Sequence, residues 1–155
     1  MDEKLYTKYQ QVIGSLLYLM LGTRPDIAYA VTKMAQFAAN LSEEHLTKAL
    51  YICKYLAGTT NYKLQYGLKY QGQYAYADAD WASDLKSRRS TTGYLVLLSG
   101  TAISWNSTAQ KTMAEGQVSL YFVTMDKNPT DMFVKNLSRG SFLRCRSHLY
   151  ITFTK

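Results

Sequence analysis

Apolar residues recur at three- and four-residue intervals through the first part of the chain and alternate with polar ones in the middle, so the pattern predicts helices first and strands afterwards. Over Thr7–Leu21 the apolar positions are Tyr9, Val12, Ile13, Leu16, Leu17, Met20 and Leu21, one stripe of an amphipathic helix that Gly22 ends. Gly14 weakens this helix slightly and marks a place for a close helix contact. A second helix follows at once, with Thr23 as its cap, Pro25 in its first turn and Asp26 three residues after the cap. Its core face is Ile27, Ala30, Val31, Met34 and Phe37 or Ala38, and Asn40 stops it. Ser42 caps a third helix, where Glu43 and Glu44 complement the positive end of the dipole and Leu41 and Leu46 form a hydrophobic staple. Leu46, Ala49, Leu50, Cys53 and Leu56 make its stripe, Gly58 closes it, and His45 reads as a polar residue of its first turn.

Near Thr60 the period changes, which makes that point the best boundary between a helical segment, 1–60, and a sheet-forming one, 61–155. Residues 61–72 are polar and rich in turn formers, with Leu64 and Tyr66 placed in a short strand. The run QYAYADAD then alternates strictly: Tyr74, Tyr76, Asp78 and Asp80 fall on one face of a strand, and Ala75, Ala77 and Ala79 on the other. Asp is a poor strand former, and a carboxylate held at Asp78 costs stability unless something binds it. Thr91–Leu98 is a β-branched and apolar strand, Ser99-Gly100 a tight turn and Thr101–Trp105 the return strand.

Composition adds a direction. Lys and Arg number 18 against 11 Asp and Glu, a net charge of +7 that favours a polyanionic partner. The cluster Lys86, Arg88 and Arg89 lies in the loop between the first two strands, either as a solvated loop or as a phosphate contact. Arg139, Arg144, Arg146 and His148 form a second basic patch, in which His148, having no evident acid partner, reads as a surface residue. Fourteen Tyr supply half-buried contact area, and Trp81 and Trp105 are expected to pack against the hairpin. No apolar run reaches the roughly 18 residues that span a bilayer, so no membrane partner is expected. The opening MDEKLYTKY does not read as a secretory signal, and Cys53 and Cys145 lack metal-like spacing, so an intracellular, reducing setting is the expectation.

Tyr76–Tyr94, YADADWASDLKSRRSTTGY, followed by an apolar strand and AISW at Ala102–Trp105, closely resembles the start of the ribonuclease H domain of copia-type retrotransposon polyproteins. Tyr9–Val31 and His45–Thr59 resemble the end of the reverse transcriptase region of the same polyproteins, beyond the polymerase active site. The resemblance implies an α+β fold: an N-terminal three-helix segment of thumb or connection type, then a truncated ribonuclease H-like mixed sheet built of a β-hairpin meander and one further strand. It also implies that Asp78 is a metal ligand. Lys127–Leu137, KNPTDMFVKNL, resembles the segment that carries the family's last acid, which falls on Asp131; Thr130 and Val134 depart from its usual Ala and Thr.

The family chemistry, cleavage of RNA in an RNA–DNA hybrid, needs two Mg2+ ions held by three or four acids from separate elements. The two middle acids have no counterpart, because Glu115–Asp131 follows Ala114 directly, as an internal deletion would leave it. Glu115 stands at a loop or strand entry, Asp80 at a strand end and Asp84 in a polar loop, and none is expected to replace a lost ligand. The expectation is therefore a degenerate Pol fragment with vestigial metal and catalytic positions at Asp78 and Asp131, no cofactor of its own, and no activity. Two alternatives stay open: a non-catalytic module that binds RNA–DNA hybrid or another nucleic acid, and a residual Mg2+-dependent ribonuclease H. The loss of central elements is expected to expose the hairpin face and a sheet edge, with Val118–Thr124 taking an edge position.

Overall fold

The computed structural model describes residues 3–67, 72–80, 91–109, 128–149 and 151–153. The chain divides into two units, Met1–Lys63 with Thr152–Lys155, and Leu64–Ile151. Together the described elements make a mixed α+β chain with five α-helices and a three-stranded antiparallel sheet.

The first unit is built on α1, Glu3–Gly22, which buries Tyr9, Ile13, Leu16 and Met20. Their spacing of four, three and four residues keeps them on one face. Tyr9 is fully enclosed, and its hydroxyl donates to the Met34 carbonyl at 2.6 Å, so the deepest ring in this core also satisfies its polar end. The second helical stretch is broken into three: a 3₁₀ turn at Pro25–Ile27, α2 at Ala28–Ala35, and another 3₁₀ turn at Gln36–Ala39. Ile27, Ala28 and Val31 face the core, while Phe37 is 37% exposed.

The entry to this stretch departs from the sequence expectation. Arg24, not Thr23, stands at the cap, and Asp26 does not complete a capping box. Instead Arg24 and Asp26 form a buried two-pronged ion pair at 2.9 and 2.8 Å. The guanidinium also donates to the Thr59 carbonyl and hydroxyl, and the Tyr55 hydroxyl donates to Asp26 at 2.7 Å. Burial alone disfavours the charge on Arg24, but the Asp26 bonds outweigh it and raise its affinity for the proton. This network ties the start of the second stretch to the end of the third helix.

That helix, α3, runs Glu43–Ala57. Ser42 and His45 form a reciprocal cap, with the His45 Nδ1 accepting from the Ser42 backbone N–H at 3.1 Å. His45 also stacks on Phe37 at 4.2 Å. The expected stripe is only partly covered: Ala49 is buried, Cys53 and Leu56 are half-buried and Leu50 is 42% exposed. A two-stranded ribbon of β1, Tyr62–Leu64, and β5, Ile151–Phe153, completes the elements near the chain's return; Tyr66 lies outside the strand.

The second unit is an antiparallel meander of β2, Gln73–Asp80, β3, Thr91–Leu98, and β4, Thr101–Ala109. Ser99 and Gly100 turn the hairpin, both with positive φ, 50° and 82°, the backbone twist that a two-residue turn between strands requires. In β3 the alternation is complete: Thr91, Gly93, Leu95 and Leu97 are buried, and Tyr94 and Leu98 are exposed. A bulge at Val96/Leu97 leaves Ile103 of β4 as the extra residue, since Val96 pairs with Ser104 and Leu97 with Ala102. Two helices follow, α4 at Asp131–Val134 and α5 at Arg139–Ser147. The expected strand at Val118–Thr124 and the Ala114/Glu115 junction lie outside the described residues.

Candidate functional site

The covered face of the meander carries a row that crosses all three strands. Asp78 of β2 pairs with Gly93 of β3, and Gly93 with Ser107 of β4. Cross-strand partners point to the same face, so the acid, the glycine and the serine lie side by side. Helix α4 sits on this row. A Cβ at Gly93 would lie 2.7 Å from the Phe133 Cβ and 2.9 Å from the Val134 Cγ1, so the helix can come this close only over a glycine. Ser107 donates to the Phe133 carbonyl and fixes the helix from the other side. Met132, Phe133 and Val134 are all buried by this packing.

The approach is also held from the segment before α4. Asn128 donates to the Ala77 carbonyl at 3.4 Å and accepts from the Thr130 backbone N–H at 3.1 Å and from the Thr130 hydroxyl. Thr130 and Pro129 are fully enclosed. Asp131, the first residue of the helix, is thereby delivered next to the strand acid.

Asp78 and Asp131 lie close enough for the one carboxyl to act on the other. Burial in the half-closed site, and then the hydrogen bond and charge of Asp131, raise the Asp78 carboxyl to about 6 from an ordinary 3.8. The Ala79 backbone N–H, which donates to Asp78 at 2.9 Å, and the Lys135 charge pull the other way. Lys135, one turn along from Asp131, pairs with its carboxylate at 2.9 Å. The Asp78 carboxyl thus holds its proton more tightly than an ordinary carboxyl, beside an Asp131 that is paired with a lysine.

A pair of octahedral cations needs several carboxylates facing it; among the described residues Asp78 and Asp131 face each other, and Lys135 engages Asp131. Among the described residues no group of three or more His, Cys, Asp and Glu is placed to hold a metal. Cys145 is near enough for the Asp131 charge to act on it; burial, then that charge, push its thiol up, so it is a weakly reactive packing residue.

The structure therefore brings together Asp78 and Asp131. Lys86, Arg88 and Arg89 lie outside the described residues, as do Trp81, Asp84 and Glu115. Asp80 is the last residue of β2, opposite Thr91. Lys135, Gly93, Ser107 and Asn128 carried no role in the sequence reading. The i,i+4 spacing of Asp131 and Lys135 was a usable signal; the other three act through contacts distant along the chain.

A three-stranded meander with an acid in its first strand, met by a second acid from a helix laid across its middle strand, defines an α+β class of sheet unit with a carboxylate pair. Comparison with known proteins places the chain more narrowly. It is 40% identical over 124 residues, 80% of its length, to the retrovirus-related Pol polyprotein from transposon TNT 1-94 of Nicotiana tabacum. It is 40% identical over 128 residues, 81% of its length, to the corresponding polyprotein from transposon RE1 of Arabidopsis thaliana. It spans 9% of the length of each of these two relatives. It also covers 75% of secreted RxLR effector protein 161 of Plasmopara viticola, at 41% identity over 107 residues. No family model matches the chain, and no solved structure does. The chain belongs to the copia-type, retrovirus-related Pol polyproteins of transposons.

Proposed function

We propose that this protein is a degenerate remnant of the reverse transcriptase–ribonuclease H junction of a retrotransposon, without catalytic activity of its own. In this reading residues 1–60 derive from the thumb or connection helices, and residues 61–155 are a truncated ribonuclease H-like domain. Asp78 and Asp131 are vestiges of the metal-binding set. The observation that carries the reading is the Asp78–Asp131–Lys135 arrangement, in which the acids are satisfied by each other and by a lysine rather than open to a cation pair. The loss of two further acids, inferred from the join at Ala114/Glu115, supports the same conclusion.

The test is a hybrid-cleavage assay on the purified chain with Mg2+. No turnover above background is expected. Turnover that disappears in Asp78→Asn would establish a surviving nuclease and overturn the reading. The charge of +7 favours a second reading, retention of nucleic-acid binding without cleavage, in which Lys86, Arg88 and Arg89 contact phosphates. Salt-sensitive binding to RNA–DNA hybrid that is weakened by Arg88→Ala and Arg89→Ala supports it, and salt-insensitive binding counts against it.

A further inference from the structure

We propose that the outward face of α1 is a self-association surface, on which a second copy of this chain docks its own α1 in antiparallel orientation around Gly14. This inference goes beyond the reading of the acid pair and does not depend on it. The starting observation is a glycine without a local reason. Glycine in the middle of a helix weakens it and has its use where another backbone comes close. Gly14 has no such neighbour among the described residues, since a Cβ built there would meet nothing within 4 Å. The close approach that this glycine permits is open to another molecule.

The rest of the face is suited to one. Tyr9, Ile13, Leu16 and Met20 mark the inward side of α1. Successive residues turn by about 100°, so the opposite stripe runs through Thr7, Gln11, Gly14, Ser15, Tyr18 and Gly22. All six are exposed, Tyr18 to 80%, and Leu21 at their edge is exposed to 69%. From Tyr9 to Gly22 the helix has no charged residue. A solvated helix face has a different composition, as α3 shows, where Glu44, Lys48 and Lys54 are exposed. The small hydroxyls on α1 are also satisfied within the helix. Thr7 donates to the Glu3 carbonyl at 2.9 Å and Ser15 to the Gln11 carbonyl at 3.0 Å, so neither donor is stranded by a close contact.

Spacing and charge select a second copy as the occupant. A two-fold axis between Gly14 and Ser15 sets Gln11 against Tyr18 of the other copy and Thr7 against Gly22, and the small residues meet where the helices cross. An uncharged stripe meets its own copy without like-charge repulsion. The antiparallel orientation also brings Lys8 of each copy to the C-terminal end of the other α1, whose last turn holds no cation of its own. A parallel pair would instead set the two Lys8 side chains at the same end. Burying Tyr18, Leu21 and the backbone at Gly14 from both copies removes roughly 1,000 Å2 from water, the size of a weak, concentration-dependent pair. A lipid surface is disfavoured, because it takes a broad apolar face and Gln11 and Ser15 stand in the middle of this one.

The experiment is analytical ultracentrifugation of the full chain from about 5 to 500 μM, at about 150 mM salt. The wild type is expected to show a monomer–dimer equilibrium with a Kd on the order of 10–100 μM. Gly14→Gln introduces a better helix former into open space, so the single chain keeps its fold while the close approach is blocked. It is expected to weaken association at least tenfold, and so is Tyr18→Lys at its exposed position. The double variant Gln11→Glu/Tyr18→Lys sets opposite charges across the antiparallel pair and should recover most of what Tyr18→Lys alone loses. Circular dichroism checks that each variant keeps its helix content. A wild type that stays monomeric at the highest concentration would overturn the proposal. So would a dimer that Gly14→Gln and Tyr18→Lys leave unchanged, and a double variant as weak as Tyr18→Lys would overturn the antiparallel pairing.

Discussion

Asp78 shows how one residue can be both informative and costly. Its carboxyl titrates near 6 because burial and Asp131 both disfavour its charge. An acid whose folded value lies above its ordinary 3.8 binds its proton more tightly in the folded state. Its contribution to stability is therefore full below about pH 4, declines between pH 4 and 6 and is lost above that range. Asp78→Asn is expected to raise stability at pH 7.5 by about 1 kcal/mol, less than the shift alone implies because the site is half-open to solvent. At pH 4 the two proteins should melt together. Thermal melts at the two pH values check this; a variant less stable than wild type at pH 7.5 would contradict it. The residue itself was legible in the sequence, since an acid in an alternating strand breaks the local preference. Its neighbour Lys135 carried a signal too, the four-residue spacing from Asp131, but the pairing has meaning only once Asp131 is set beside the strand acid.

At the scale of elements, the meander was read with its hairpin strand and turn in place, because alternation and a Ser-Gly turn are strong local signals. Helix α4 was not read as an element at all. It is four residues long and exists through what it lies on, the bare backbone at Gly93. Gly93→Ala would drive a methyl group into Phe133 and Val134 and is expected to cost about 1–3 kcal/mol, seen as a lowered denaturation midpoint. A wild-type midpoint in that variant would mean that α4 does not rest there. The first unit depends on a different kind of contact. Asp26→Ala would strand a buried guanidinium against Thr59 and Tyr55 and should cost about 3–5 kcal/mol, read from urea melts of full-length protein. The sequence hid this network because Arg24 and Asp26 look like ordinary helix-start residues until the end of α3 is brought beside them. The stripe of α3 was misjudged for a related reason: spacing shows which side of a helix is apolar, not whether anything covers it.

For the molecule as a whole, membership in the transposon Pol polyproteins and the α+β arrangement are firm points, and the proposed silence of the acid pair makes a bulk prediction. A protein that binds a cation only in its folded state is stabilised by it through mass action. Addition of Mg2+ at millimolar concentration is therefore expected to leave the melting temperature within about 1 °C, with the same result in Asp78→Asn. A clear rise confined to the wild type would point to a working cation site. The helical segments and the strand acid were open to sequence reading because they rest on local pattern. The position of α4 over the sheet was not, because it rests on a glycine and a serine more than twenty residues before it.

The extra residue in β4 bears on how the margin of the sheet meets other molecules. Among the described strands β4 lies at the margin of the sheet, where a straight ribbon would invite a second molecule to continue the ladder. Ile103 puts a bend in that margin, so a neighbouring molecule finds no flat, evenly spaced row of amides to copy.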